Sequence, residues 1–169
     1  MSKIARLRAS PETFLDECKI AMYTPKKYFS GLSKKNKETR KREIKRFGSK
    51  STKDPSAYIG FKTDIGRKTK TSNYTRKFQR LFPNAKSLKQ KSEATGVPLE
   101  ALQESYNRGM AAWRTGHRPG ATQQQWGYAR VHSLLTCGKT YDTTDSNIVR
   151  NTKKKSQTAR KWWKTQCKE

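Results

Sequence analysis

Apolar residues fall at helical spacing in a few stretches of this chain and are scattered elsewhere. The clearest stripe is Leu99, Leu102, Tyr106, Met110 and Trp113, at intervals of 3, 4, 4 and 3, which draws one face over about four turns. Thr95-Gly96-Val97-Pro98-Leu99-Glu100 opens that helix, with proline near its first position and an acid in its first turn. A second helix begins at Thr122, where Gln125 three residues later completes a Thr-x-x-Gln capping box. Trp126, Ala129 and Ser133 form one line along it, with Tyr128, Val131 and Leu135 beside them, until Cys137-Gly138 supplies a stop. The pattern predicts a helical hairpin or angled helix pair joined by residues 114–121. Gly109, Ala111, Ala112, Gly127 and Ala129 would let the two backbones approach closely. Its predicted core is Leu99, Leu102, Tyr106, Met110, Trp113, Trp126, Val131 and Leu135.

Outside that pair the periodicity is thinner. Ser10-Pro11-Glu12 reads as a helix start, and Phe14, Leu15, Cys18 and Met22 predict a short amphipathic helix over residues 11–23, ended by Pro25. Residues 37–47 are helical in pattern, but their only apolar anchors are Ile44 and Phe47. Such a helix either lies across a partner or folds weakly. Residues 48–75 are rich in Gly, Ser, Thr and Lys, which predicts an extended or loop-rich segment. Phe78, Leu81 and Phe82 predict a short helical turn closed by Pro83. In the tail, Ala159 and Trp163 share a side, so weak helicity is expected there. The predicted class is mainly α: a small irregular helical protein with a central helix pair and extended basic arms.

Charge sharpens the division. Residues 1–91 carry 26 Lys/Arg against 7 Asp/Glu, residues 92–147 carry 5 against 5, and residues 148–169 carry 8 against 1. A neutral helix-loop-helix module at 92–147 is thus flanked by a basic N-terminal arm, 1–91, and a basic Trp-containing tail, 148–169. The chain totals +26, with 31% apolar residues and a mean hydropathy of -1.10. Flanks of like charge repel each other and gain most against a polyanion, either nucleic acid or an acidic protein surface. The expectation is therefore a compact part smaller than the chain, with the remainder ordered on binding.

The candidate contacts follow from the basic runs: Lys34, Lys35, Arg40, Lys41, Arg42, Lys45 and Arg46, then Arg67, Lys68 and Lys70, and finally Lys153, Lys154 and Lys155. Too few acids accompany them to pair them. Phosphate attraction is independent of sequence, and an acidic protein attracts lysine as well, so the runs alone do not choose between DNA, RNA and protein. Trp162 and Trp163 sit among cations in the tail. They suit stacking on bases, a membrane interface, or a hydrophobic slot on a neighbouring protein.

The linker combines Arg114, His117 and Arg118 between glycines. Together with Arg108 and Arg130 it invites a phosphate-cradle or catalytic reading, with His117 as proton carrier. Architecture explains the same residues more simply, through close turns and side chains bonded to helix-end carbonyls. No acidic metal cluster, Ser/His/Asp order or phosphate-binding glycine loop accompanies them, so no enzyme activity and no cofactor are expected. His117, His132 and Cys137 match no standard zinc spacing. Cys18, Cys137 and Cys167 lack Cys-x-x-Cys spacing, and free thiols in a reducing compartment are the expectation. No long apolar run supports a transmembrane segment, and a protein soluble when made, inside a cell, is expected.

The motif YNRGMAAWRTGHRPGAT at residues 106–122, continuing as QWGYARVHS at 125–133, resembles a family of small uncharacterised proteins from large DNA viruses of algae and protists, with phage relatives. Gly31-Leu32-Ser33, Phe61-Lys62-Thr63-Asp64, Tyr74-Thr75-Arg76-Lys77-Phe78 and Ala85-Lys86-Ser87-Leu88 resemble the same family, so the similarity spans roughly residues 20 to 145. The resemblance implies a virion protein made in the host cytoplasm. Its implied role is that of a minor capsid protein bridging or cementing major and other minor capsid proteins through its basic arms. The alternative is a nonspecific nucleic-acid-binding protein packaged with the genomic DNA.

Overall fold

The structure is a computed structural model that describes residues 26–51, 53–114 and 119–167. The helix expected over residues 11–23, with Cys18, lies outside them, as do His117 and Arg118. The described chain is mainly α, as its pattern predicts. Its helices are α1 (Lys34–Gly48), α2 (Asn73–Leu81), α3 (Leu88–Thr95), α4 (Leu99–Trp113), α5 (Gln123–Leu135), α6 (Lys139–Asp142), α7 (Ser146–Lys155) and α8 (Gln157–Cys167). Short 3-10 turns stand at Lys26–Phe29, Pro55–Tyr58 and Lys62–Asp64.

Local chemistry explains most helix starts. Ser33 accepts from the Asn36 N–H, and Ser72 from the Tyr74 N–H. Ser87 with Gln90, and Thr122 with Gln125, form full capping boxes. Each such cap satisfies a backbone donor that the helix cannot satisfy itself, an effect of about 1 kcal/mol.

The predicted central pair is present as α4 and α5, but α4 buries a different stripe from the one expected. Its buried residues are Ala101, Leu102, Ser105, Gly109 and Trp113, whereas Leu99 is 39% exposed and Tyr106 and Met110 are only half-buried. The buried line is turned by one residue, about 100°, toward small side chains. The reason is the closeness of the helices: a Cβ on Gly109 would stand 2.8 Å from the Gly127 Cα, and one on Gly127 would stand 2.5 Å from a Tyr106 ring carbon. Hydrophobicity points to Tyr106 and Met110; Gly109 takes the backbone-to-backbone contact, the Tyr106 ring lies against Gly127 while staying half-buried, and Ser105 turns in to Asp145.

The main core gathers Phe78 from α2, Val97, Ala101 and Leu102, then Val131, Leu134 and Leu135 from α5. It is completed by Tyr141, by Ile148 and Val149 from α7, and by Ala159 and Trp163 from α8. The expected boundaries at 91/92 and 147/148 therefore do not divide the core. The tail is no extended arm: α7 and α8 close the body, and Trp163 is fully buried. Ala159 and Trp163 share the buried side of α8, as their spacing predicts.

Trp162 and Trp163 also complete the end of α5. Their indole N–H groups donate to the carbonyls of Leu135 and Leu134, at 3.1 and 3.2 Å, and Lys77 donates to the Thr136 carbonyl at 3.0 Å. These are carbonyls that the last turn of a helix leaves without internal partners. A disulfide between Cys137 and Cys167, Cα atoms 5.5 Å apart, joins the end of α8 to the same place. This corrects the expectation of free thiols at those two positions. Spacing alone could not reveal the bond, because the partners are brought together only by the return of α8 along α5.

A second, smaller core lies in the N-terminal region. Ile44 and Phe47 of α1 pack on Phe61, with Phe29 alongside, and Phe61 meets Trp113 at a ring separation of 5.5 Å. Residues 37–47 thus belong to a folded α1, and the expected coil-like arm is structured from residue 26 onward. Trp113 belongs to this junction rather than to a cluster with Trp126, which is half-buried against Tyr28.

Candidate basic interface

α1 presents a run of cations to solvent. Its inward face is Arg40, Ile44 and Phe47. Lys34, Lys35, Lys37, Lys41, Arg42, Lys45 and Arg46 are exposed. The two acids on this helix are engaged. Glu38 accepts from Lys41 at 2.9 Å, and that ammonium holds its carboxyl below the usual range. Glu43 turns toward the loop, accepting from the Lys62 N–H at 2.6 Å and the Thr63 hydroxyl at 2.5 Å.

Beside α1, the 3-10 turn Lys26–Phe29 completes an open cleft of about 560 Å³, lined by Lys26, Lys27, Lys37 and Lys41 with Glu38 among them. The Arg67 guanidinium approaches from behind: a Cβ on Gly31 would stand 3.2 Å from it, so glycine at that position admits the arginine. Gly31 also has φ +72°, which suits glycine independently of space. Cations from three separate segments converge here.

The other candidate residues divide into exposed and internal. Lys68, Lys70, Lys154 and Lys155 are exposed. Lys153 is half-buried over the Tyr141 ring at 5.4 Å. Four expected contacts are corrected to internal ones. Arg40 is fully buried, paired with Asp64 and stacked 4.7 Å from the Phe61 ring centre. Arg114 is buried and donates to the carbonyls of Lys50 and Ala111. Trp163 lies in the main core, and half-buried Trp162 packs against it with its N–H taken by Leu135. Arg118 lies outside the described residues.

Among the described residues, the arginines considered for a phosphate cradle are engaged within the fold. Arg108 and Arg130 both turn to Asp145, a fully buried carboxylate. Arg130 grips it through Nε at 3.0 Å and a terminal nitrogen at 2.7 Å, Ser105 donates at 2.8 Å, and Arg108 reaches it at 3.3 Å. Arg108 also pairs with Glu104 at 2.6 Å. This network fixes α4 and α5 to the turn before α7. No local pattern marks Asp145 for burial, and a reading of spacing along the sequence misses it.

Two further buried ionisable groups escaped that reading. Lys91 donates to the Ala85 and Lys86 carbonyls and lies 5.0 Å from the Tyr128 ring centre, and burial pushes its ammonium down to about 8. His132 stacks on Phe78 and shares a hydrogen bond of 2.9 Å with the Thr75 hydroxyl. Burial, with the Lys91 charge nearby, pushes its imidazole down to about 3. Among the described residues no group of three or more His, Cys, Asp or Glu is placed to hold a metal ion, and no helix is long and apolar enough to cross a membrane.

Residues 25–153, about three quarters of the chain, match the model of a family of unknown function, DUF5824. The chain belongs to that family. The DUF5824 region takes in the basic cleft, the α4–α5 pair and most of α7, and ends before α8. No curated protein and no solved structure matches the chain.

Proposed function

We propose that this DUF5824 protein is a non-enzymatic structural component of a nucleoprotein assembly, lying on the phosphate backbone of nucleic acid without reading its sequence. The observation that carries this reading is the exposed cationic face of α1 and the cleft beside it, where the acids are already engaged by neighbours. Unpaired cations gain from polyphosphate by releasing its condensed counterions. The sequence resemblance to proteins of large DNA viruses supports the virion as the assembly, with synthesis in the host cytoplasm and the viral genome as the nucleic acid.

A second reading is a minor capsid protein that bridges major and other coat subunits. It draws on the same cations, facing an acidic protein surface. It stands second because it needs an acidic face on a particular partner, whereas phosphate offers its charge along any sequence; Trp162 and Trp163, spent within this fold, serve neither reading.

Titration of a labelled random-sequence duplex across a range of salt concentrations tests the first reading. Engagement of about six phosphates gives a log-log slope of about -5, and alanine at Lys34, Lys35 or Lys45 lowers its magnitude by about 1 for each lysine that touches phosphate. Absence of duplex binding at low salt, with the protein released from dissociated particles on coat fragments, would move the assignment to the second reading.

A further inference from the structure

The loop between the second and third 3-10 turns and the segment just after it is fastened to the protein at alternate points while presenting apolar side chains outward. Phe61 is 2% exposed and stacks on Phe47 at 5.3 Å. Lys62 and Thr63 donate to Glu43, and Asp64 accepts from Arg40 and from the Gly120 N–H at 2.8 Å. On either side of this fastened turn, Ile59 is 58% exposed and Ile65 is 81% exposed. A single exposed apolar side chain is ordinary. Here two exposed isoleucines bracket a turn tied down by a buried guanidinium, a carboxylate and an aromatic stack, so the backbone that carries them is held in place.

The neighbours of those isoleucines narrow the choice of partner. Each is followed by a glycine, Gly60 and Gly66, and a Cβ at either would meet nothing within 4 Å, so the loop is thin and unobstructed there. Lys62, Lys68 and Lys70 are exposed nearby, whereas the adjacent acids Asp64 and Glu43 face inward to their partners. An apolar tip amid cations complements flat apolar base pairs bordered by phosphates. Proteins that bind the minor groove use isoleucine and similar side chains in this way, unstacking a base step and kinking the duplex.

We infer that Ile65, with Ile59 on the other side of the fastened turn, is a wedge that enters a groove of duplex nucleic acid and opens a base step, while Lys62, Lys68 and Lys70 hold the flanking phosphates. This rests on the nucleic-acid reading above and adds to it a bent product: the protein would deform the duplex as well as neutralise it.

The test uses the full chain and a 30-base-pair duplex of mixed sequence, labelled at both ends for energy transfer and carrying 2-aminopurine at a central flexible step. Wild-type protein is expected to shorten the end-to-end distance, with a bend between about 20 and 90°, and to raise 2-aminopurine emission as the base unstacks. Ile65→Ala is expected to lose most of both signals, and Ile59→Ala/Ile65→Ala all of them, with the salt slope of binding unchanged. Circular dichroism of the variants establishes that the fold is intact. Binding with a straight duplex, or equal bending by the double variant, would overturn the wedge and leave the nucleic-acid reading standing. No binding at 50 mM salt would overturn both. Loss of coat-fragment cross-links in the double variant, with bending retained, would overturn the wedge and reassign the two isoleucines to a protein contact.

Discussion

The two cores of this molecule each contain a buried arginine–aspartate contact, but with the burial reversed. In the N-terminal region Arg40 has no exposed side-chain surface and its partner Asp64 is at the rim, 16% exposed. In the main body Asp145 has no exposed surface, and Arg130 and Arg108 reach in from the rim at 16% and 31% exposed. The difference follows from what each region has to pack. Around α1 the apolar supply is Ile44, Phe47 and Phe61, with Phe29 at the edge, so an arginine stem and its flat guanidinium fill the remaining space against Phe61. The body has enough apolar residues for a core, and its sunken carboxylate instead gathers cations from two helices onto one turn. A basic chain can thus use arginine as packing material where hydrophobes are scarce and as tethering where they are not.

The largest effects should separate the two arrangements. Trp163→Ala removes a fully buried ring that also caps α5, and is expected to cost about 3 to 5 kcal/mol in global stability by thermal or denaturant unfolding. Asp145→Asn strands two guanidinium groups around a neutral amide and should cost a similar amount, about 3 to 5 kcal/mol. If Asp145→Asn melts like wild type, the carboxylate is not the centre of the body's tethering and the comparison fails.

Opening the covalent link ranks next. Replacing Cys137 and Cys167 by serine frees a loop with a sequence separation of 30 and should lower stability by roughly 3 to 4 kcal/mol. The two indole hydrogen bonds should nevertheless keep α8 in place, so native hydrogen-exchange protection at α8 should persist at reduced strength. Arg40→Met should act more locally. It leaves Asp64 without its guanidinium, at a cost of about 2 kcal/mol, seen as faster exchange in α1 and in residues 55–64 with α4 and α5 unaffected. Equal loss of protection in both regions would show that the two cores open as one unit.

The effect that is smallest near neutral pH, and that accumulates only on acidification, is a pH dependence of the body. The folded pKa of His132 lies near 3, below the 6.5 of an unperturbed imidazole, so between those values the unfolded chain binds the extra proton. Stability contributed by neutral His132 is full above about pH 6.5 and is lost as pH falls toward 3, at up to about 1.4 kcal/mol per pH unit. His132→Asn should flatten that slope, and a pH series of denaturant midpoints reads it directly.

Much of this was legible in the sequence wherever the signal was local. The Thr122/Gln125 box, the start near Pro98, the stop at Cys137-Gly138 and the shared side of Ala159 and Trp163 are all statements about residues within a few positions of each other. The misreadings are statements about distance. Leu99, Tyr106 and Met110 look like a core stripe until the two glycines bring α5 close enough to bury Gly109 and leave Tyr106 only half-covered, beside Gly127. Arg40 and Arg114 look like surface cations until their partners arrive from 24 and 64 residues away. Trp163 reads as a tail residue until α7 turns it back onto Leu134. For the interface the exposed lysines of α1 were identifiable by composition, whereas the fastening of residues 61–64, which leaves Ile59 and Ile65 outside, depends on contacts that no spacing rule contains.

The crossing of Gly109 and Gly127 has a consequence for how this sequence can drift. Every codon change that alters a glycine adds at least a Cβ, and at either position that atom would stand within 3 Å of atoms of the facing helix. The two positions differ in what could relieve them: a Cβ on Gly127 meets the Tyr106 ring, which a smaller side chain at 106 would clear, whereas one on Gly109 meets the backbone of Trp126 and Gly127, which no substitution trims. Descendants can exchange lysine for arginine along α1 with little penalty, but glycine should persist at 109 even where the rest of the helix pair has diverged, and at 127 for as long as an aromatic ring stands at 106.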